Sequence, residues 1–222
     1  MEKESTIKAI IKKSFLYRLL IYYRISKAKR AVVTHNKQML KEWFENGQPA
    51  PPPHSYKISV IKEYAAKFKS EILIETGTYL GETIEACKRN FKKLISIELD
   101  QRLYESAVHK FKTEPNISIY QGDSGEVLEN VLTNISQPCL FWLDGHYSEG
   151  FTAKGSLNTP IIKELKHIFD HPNKNHVILI DDARCFTGED DYPDIATLKK
   201  IINDFDPGLQ FSVENDIIRI HN

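Results

Sequence analysis

An α/β fold built on a mostly parallel sheet is predicted by three observations. From Glu71 onward, short apolar runs alternate with helix-compatible stretches, the pattern of repeated strand–helix units joined by right-handed crossovers. The first run, 72–75, passes through a turn carrying Gly77 and Gly81 into a helix start, the arrangement α/β proteins use to bring backbone close to a ligand. An acidic residue follows nearly every run, and parallel strands collect such residues on one edge of the sheet.

The elements follow in order. Residues 5–30 form a helix candidate, because Ile7, Ile11, Phe15 and Leu19 recur every four residues and Tyr22 and Tyr23 nearly continue the stripe. Residues 48–54 hold three consecutive prolines, Pro51 to Pro53, which stop a helix and read as a stiff linker. The expected organisation is a basic helical arm with its Pro-rich linker over 1–54 and a catalytic body over 55–222. The body opens with a helix over 55–69. Strands are expected at 72–75, 94–98, 117–121, 139–144 and 177–181. Helices are expected near 81–90, 101–111, 125–132, 159–169 and 195–205. Thr159 and Pro160 read as the start of the fourth of these, since Thr caps and Pro tolerates the first turn. The runs 210–213 and 217–221, with Glu214, Asn215 and Asp216 between them, read as an antiparallel C-terminal hairpin.

Composition restricts the function classes. The chain has 222 residues, 41% hydrophobic and 27% charged, which suits one α/β domain with an extension. Net charge is zero, but residues 1–41 carry eleven Lys/Arg against two Asp/Glu, leaving an acidic remainder. A basic arm ahead of an acidic body disfavours a broad nucleic-acid footprint. The arm reads as a helix packing on the domain or a second subunit, or as a membrane-surface helix drawn to anionic lipid. No run approaches the ~20 apolar residues of a membrane span. No signal peptide is expected, because Glu2 and Glu4 spoil a basic start. Cys87, Cys139 and Cys185 have no paired spacing, so buried thiols in a reducing cytoplasm are expected.

The acids at the strand ends carry the chemistry. Glu98 is placed to accept hydrogen bonds from both hydroxyls of a ribose. Asp123 could reach an adenine amine or cap the helix after it; Asp100 reads as a cap. Asp144, Asp181 and Asp182 would repel one another at adjacent strand ends unless something positive stands among them. A hard divalent cation such as Mg²⁺ would satisfy them. So would backbone amides in a turn, or the neighbouring Arg184. His146, with an ordinary pKa of about 6.5, is the first candidate base and Tyr147 the second. His146 could equally be a loop histidine bonded to a neighbouring carboxylate. Residues 148–158 are polar and could fold over a substrate or simply connect.

Glu75-Thr-Gly-Thr-Tyr-Leu-Gly81, then Ser96-Ile-Glu-Leu-Asp100, Gln121-Gly-Asp-Ser124 and Leu143-Asp-Gly-His-Tyr147 together resemble the class I S-adenosylmethionine-dependent methyltransferases. The resemblance covers residue 72 to the C-terminus. It implies a Rossmann-like, seven-stranded sheet with the cofactor over strands one to four. Glu75 and Gly77 would meet the methionine end, Glu98 the ribose and Asp123 the adenine. Thr78 stands where many members have a second glycine, which leaves the turn before Gly81 open. The absent Gly-x-Gly-x-x-Gly pattern disfavours a nicotinamide or nucleotide-sugar enzyme.

Asp144 with Asp181-Asp182 is similar to the metal sites of macrocin-type and catechol-type O-methyltransferases. Catechol-type enzymes have a lysine where Tyr147 stands, so their base does not carry over. Residues 143–150 and 180–184 also resemble bacterial methyltransferases of surface-polysaccharide pathways. The expected activity is therefore metal-assisted O-methylation of a sugar or other small polyhydroxylated acceptor. The alternative is a binding module that keeps the fold without the chemistry.

Overall fold

The structure, a computed structural model, describes residues 15–145 and 159–222. It divides into two compact units, one ending at Gln48 and one spanning Pro49–Asn222. In the first unit, helix α1 covers Phe15–Glu45. It continues well past the expected end at residue 30, because nothing from Ala31 to Glu45 breaks a helix until Gly47 and the prolines. Residues 5–14 of that expected helix lie outside the described residues. Leu19, Leu20, Tyr22, Tyr23, Val32 and Val33 are exposed along α1.

The second unit begins with α2, His54–Phe68, which buries Ile58, Val60, Ile61 and Ala65 and ends at Lys69 in a left-handed cap. The alternation expected from residue 71 then appears as β1 (Ile72–Thr76), α3 (Glu82–Cys87), β2 (Lys93–Glu98), α4 (Gln101–Phe111), β3 (Ile117–Gln121), α5 (Ser124–Leu132), β4 (Leu140–Leu143), α6 (Ile161–Asp170), β5 (Val177–Ile180), α7 (Ile195–Phe205), β6 (Gln210–Glu214) and β7 (Ile217–His221). One seven-stranded sheet results, in the order β3-β2-β1-β4-β5-β7-β6. The first five strands are parallel, while β7 runs antiparallel to both β5 and β6.

Two apolar layers cover the sheet. Ile72 and Ile74 of β1 join Phe141, Leu165, Ile178 and Leu198 on one face. Leu73, between them, joins Ile61, Ile84, Trp142 and Leu179 on the other. This is the period-two alternation of a strand buried on both sides. Each such Leu or Ile contributes about 1.5–3 kcal/mol when fully buried. Charged groups are thereby pushed to the strand ends. At the start of α6, Ile161 N–H donates to Thr159 Oγ1 at 3.3 Å, so the expected cap acts from one residue earlier than a standard N-cap. Cys87 and Cys139 are buried, but Cys185 is only half-buried, because it sits on the short 3₁₀ turn Ala183–Cys185 at the sheet edge.

Candidate functional site

The carboxyl ends of β1, β2, β4 and β5 meet at one edge. Gly77 turns the chain out of β1 with φ +86°, and a Cβ there would lie 2.4 Å from the Asp144 carbonyl oxygen. Only glycine allows β1 and β4 to close this tightly. Gly77 N–H donates to Ile97 O at 2.9 Å and Asp144 N–H to Thr76 O at 3.1 Å, tying the three strand ends together. Gly81, φ +67°, faces the Phe111 ring at 2.8 Å from a notional Cβ, so it too is fixed as glycine.

Glu75 is almost wholly buried and accepts from Ser96 Oγ at 2.6 Å. Ser96 Oγ in turn shares a 2.6 Å hydrogen bond with Thr78 Oγ1. The Thr78 hydroxyl is thus committed inward, toward β2. Burial pushes the Glu75 pKa up to about 8 against the hydrogen bonds from Ser96 and Thr83, so the group is protonated at neutral pH. Glu98 closes β2. Its two oxygens accept from Tyr79 N–H at 2.7 Å and Asp100 N–H at 2.9 Å. Desolvation raises its pKa, and those backbone donors hold it down. Asp100 caps α4 through Arg102 and Leu103 N–H, as expected. Asp123 accepts from Gly125 N–H at 2.9 Å at the start of α5, so its capping role is observed.

Asp144, Asp181 and Asp182 converge at the ends of β4 and β5, with one oxygen from each within 4.8 Å of the others. Asp181 and Asp182 are buried. The positive charge these acids call for is present in the chain. Lys57, one turn into α2, bonds Asp181 and stands 3.5 Å from Asp182. Arg184 donates to Asp182 Oδ1 at 2.7 Å and also bonds Asp216 of the β6–β7 turn. Asp182 N–H donates to Asp181 Oδ1 at 2.9 Å, and Asp182 takes a left-handed φ of +55°. The amide and Arg184 alternatives to a metal are therefore both realised, with Lys57 added. Opposing carboxylates raise the Lys57 pKa although burial works against them. His54, one turn before Lys57, lies within the field of Asp144 and Glu82; partial burial still holds its pKa below the ordinary value.

Beneath Gly145 is a second polar cluster. A Cβ on Gly145 would lie 3.1 Å from Thr76 Oγ1, 3.2 Å from Ser124 Oγ and 3.3 Å from Glu164 Oε1. Glu164 is fully buried, and burial pushes its pKa up to about 7 against the pull of the Ser124 and Thr76 hydroxyls. Thr76 Oγ1 and Glu164 Oε1 nevertheless fall short of a well-formed hydrogen bond. His146, Tyr147 and the 148–158 segment lie outside the described residues. Lys57, His54 and Glu164 escape a motif-based search, because helix residues remote in sequence carry no spacing signal. The one hint was the mutual repulsion of the three aspartates.

This strand order, with a C-terminal antiparallel hairpin and acids at the strand ends, is the class I S-adenosylmethionine-dependent methyltransferase fold. Solved structures agree. The O-methyltransferase TomG from Streptomyces achromogenes, in complex with SAM, superposes with a TM-score of 0.53 at 12% identity over 84% of this chain and 89% of its own. An O-methyltransferase from Bacillus cereus, in complex with SAH, gives 0.54 at 11% identity over 85% and 91%. The SAH-bound Podospora anserina methyltransferase PaMTH1 gives 0.51 at 17% identity over 88% and 95%. At these identities the likeness is one of fold. A probable ribosomal RNA small subunit methyltransferase A from Pyrococcus abyssi (strain GE5 / Orsay) is 32% identical over 89 residues, 36% of this chain. The match spans about a third, 33%, of that curated relative's length. No family model matches the chain.

Proposed function

We propose that this chain is an S-adenosylmethionine-dependent methyltransferase that methylates a hydroxyl on a sugar or other small polyhydroxylated acceptor with the help of a divalent cation. The observation that carries the reading is the neighbourhood of two acidic sites on one sheet edge. Glu98, held by the Tyr79 and Asp100 amides, ends β2. The Asp144, Asp181 and Asp182 carboxylates cluster at the ends of β4 and β5. On this reading Glu98 takes the ribose hydroxyls and Asp123 the adenine amine. Glu75, Gly77 and the backbone of Thr78 through Gly81 form the wall at the methionine end. The acceptor lies over β4 and β5.

The donor set suits a hard ion, since Asp144, Asp181 and Asp182 offer three carboxylate oxygens close together. Asp144, Asp181 and Asp182 would hold a Mg²⁺, which would supply Lewis-acid activation of an acceptor hydroxyl. Arg184 keeps Asp182 aimed at the cluster while Asp216 holds Arg184 from behind. His146 is the proposed base and Tyr147 its alternate. The fold's buried apolar layers keep water from the strand ends beneath the reacting groups. The exposed apolar and basic residues of α1 fit either contact with an anionic membrane surface or pairing of two copies.

Calorimetric titration with S-adenosylmethionine and, separately, NAD tests the cofactor. Binding of the former alone supports the reading, and binding of neither at millimolar concentration sinks it. Methyl transfer to a panel of sugars and catechols, with and without EDTA, tests acceptor and ion. The match to a ribosomal RNA methyltransferase favours an RNA acceptor as a second reading. Methylation of a ribosomal RNA transcript but of no small acceptor would select it.

A further inference from the structure

We infer that Lys57 is the resident counter-cation of the Asp144, Asp181 and Asp182 cluster, and that its ammonium and a divalent ion occupy the cluster in competition. This rests on the metal reading above but concerns a residue of the helix that precedes the sheet.

Two buried carboxylates with a third at their side are costly to leave uncompensated. Among the described residues two cations reach the cluster, Arg184 and Lys57, and their roles differ. Arg184 reaches only Asp182 and is shared with Asp216, so it stays at the rim. Lys57 reaches inward: its Nζ bonds Asp181, stands 3.5 Å from Asp182 and lies in the field of Asp144. Asp181 Oδ1 accepts from the Asp182 amide, so an ion drawing on all three acids would compete with Lys57 for Asp181 Oδ2. Two positive charges cannot share that oxygen without strong repulsion. Lys57 also has an exit, since its four-carbon stem is flexible and its side chain remains 16% exposed. Metal loading therefore means that Lys57 swings out, and metal release that it swings back. The cluster is never left as bare carboxylates.

Mn²⁺ binding, followed by electron paramagnetic resonance on the full-length protein, provides the test. Lys57→Met and Lys57→Ala are expected to bind Mn²⁺ about tenfold or more tightly than wild type, because the internal competitor is gone. Equal affinity would overturn the inference and leave the metal reading standing. Binding by the variants but not by wild type would overturn the exchange, and with it the metal reading, leaving Lys57 as the permanent cation. Binding by no form at millimolar Mn²⁺ would defeat both. A second measurement needs no variant. Acylation of Lys57 by an amine-reactive reagent, read by peptide mass spectrometry, should accelerate over the concentration range in which Mn²⁺ binds. Unchanged labelling with Mn²⁺ bound would overturn the inference even if the variants fail to fold.

Discussion

The Lys57 ammonium is bonded to the Asp181 carboxylate across 124 residues of sequence. The contact joins the helix that opens the domain to the end of the fifth strand. The Asp181 side chain is fully buried, while that of Lys57 keeps a narrow outlet to solvent. Removing one member of a fully buried pair costs about 3–5 kcal/mol, and the Lys57 outlet reduces this. Lys57→Met leaves the Asp181 carboxylate buried beside Asp144 and Asp182 without its cation, and is therefore expected to lower stability by about 2 kcal/mol. Urea denaturation monitored by circular dichroism checks it, and an unchanged midpoint would show the pair to be energetically idle.

Glu98→Ala addresses the cofactor. S-adenosylhomocysteine should raise the melting temperature of the wild type, and the substitution should abolish the shift. The variant also strands the Tyr79 and Asp100 amides that Glu98 now accepts from. Leaving such groups unsatisfied costs about 1–3 kcal/mol, so a moderate loss of intrinsic stability is expected as well. Differential scanning fluorimetry with and without ligand separates the two effects. A full ligand shift in the variant would remove Glu98 from the cofactor site.

Gly77→Ala tests the turn itself. The new methyl group would meet the Asp144 carbonyl oxygen at 2.4 Å, and φ is +86°. Both faults push the ends of β1 and β4 apart. A loss of about 2 kcal/mol or more is expected, with cofactor affinity falling in parallel. Near-native stability in chemical denaturation would mean that the strand ends yield more easily than their hydrogen bonds imply.

The contrast between Gly77 and Lys57 explains what the sequence reveals. Gly77, Glu98 and Asp144 sit on strands and tight turns, whose period-two burial and turn chemistry leave local marks, so the sheet edge and its acids are legible. Strand ends differ from expectation by a residue or so, as at Leu140–Leu143, because the apolar pattern does not mark where pairing stops. Lys57 lies on a helix whose pattern reports its buried side only, so its partner across 124 residues leaves no mark. The end of α1 is illegible for a related reason: residues 31–45 lack a breaker, and the apolar stripe fades before the helix does. Glu164 hides best, since an acid in an amphipathic helix reads as solvent-facing until the fold buries it.

Asp182→Asn isolates the cation question from folding. Asn tolerates the left-handed φ of +55° as Asp does, so the backbone can stay in place while one charge is lost. The variant should keep its response to S-adenosylhomocysteine and lose about tenfold or more of any divalent-ion affinity, with turnover falling likewise. EDTA should have the same effect on wild-type turnover. Full activity in EDTA would leave methyl transfer without a metal.

Buried acids also set the pH dependence of stability. The Glu75 pKa rises from 4.5 unfolded to about 8 folded, and that of Glu164 from 4.5 to about 7. The folded state therefore binds protons more tightly at both sites. Their stabilisation is complete below pH 4.5 and is lost as pH rises through about 7 and then about 8. His176 acts in the opposite direction: burial lowers its pKa from 6.5 to about 4, so its contribution is present above 6.5 and lost as pH falls. The two trends overlap below 6.5, which makes the range from 6.5 to 8 the clean window. There stability should fall with pH, by up to about 1.4 kcal/mol per pH unit for each proton released. Glu75→Gln keeps the shape and removes the titration, so its stability in urea should decline less across that window. An identical decline in wild type and variant would mean that Glu75 is already ionised in the folded protein.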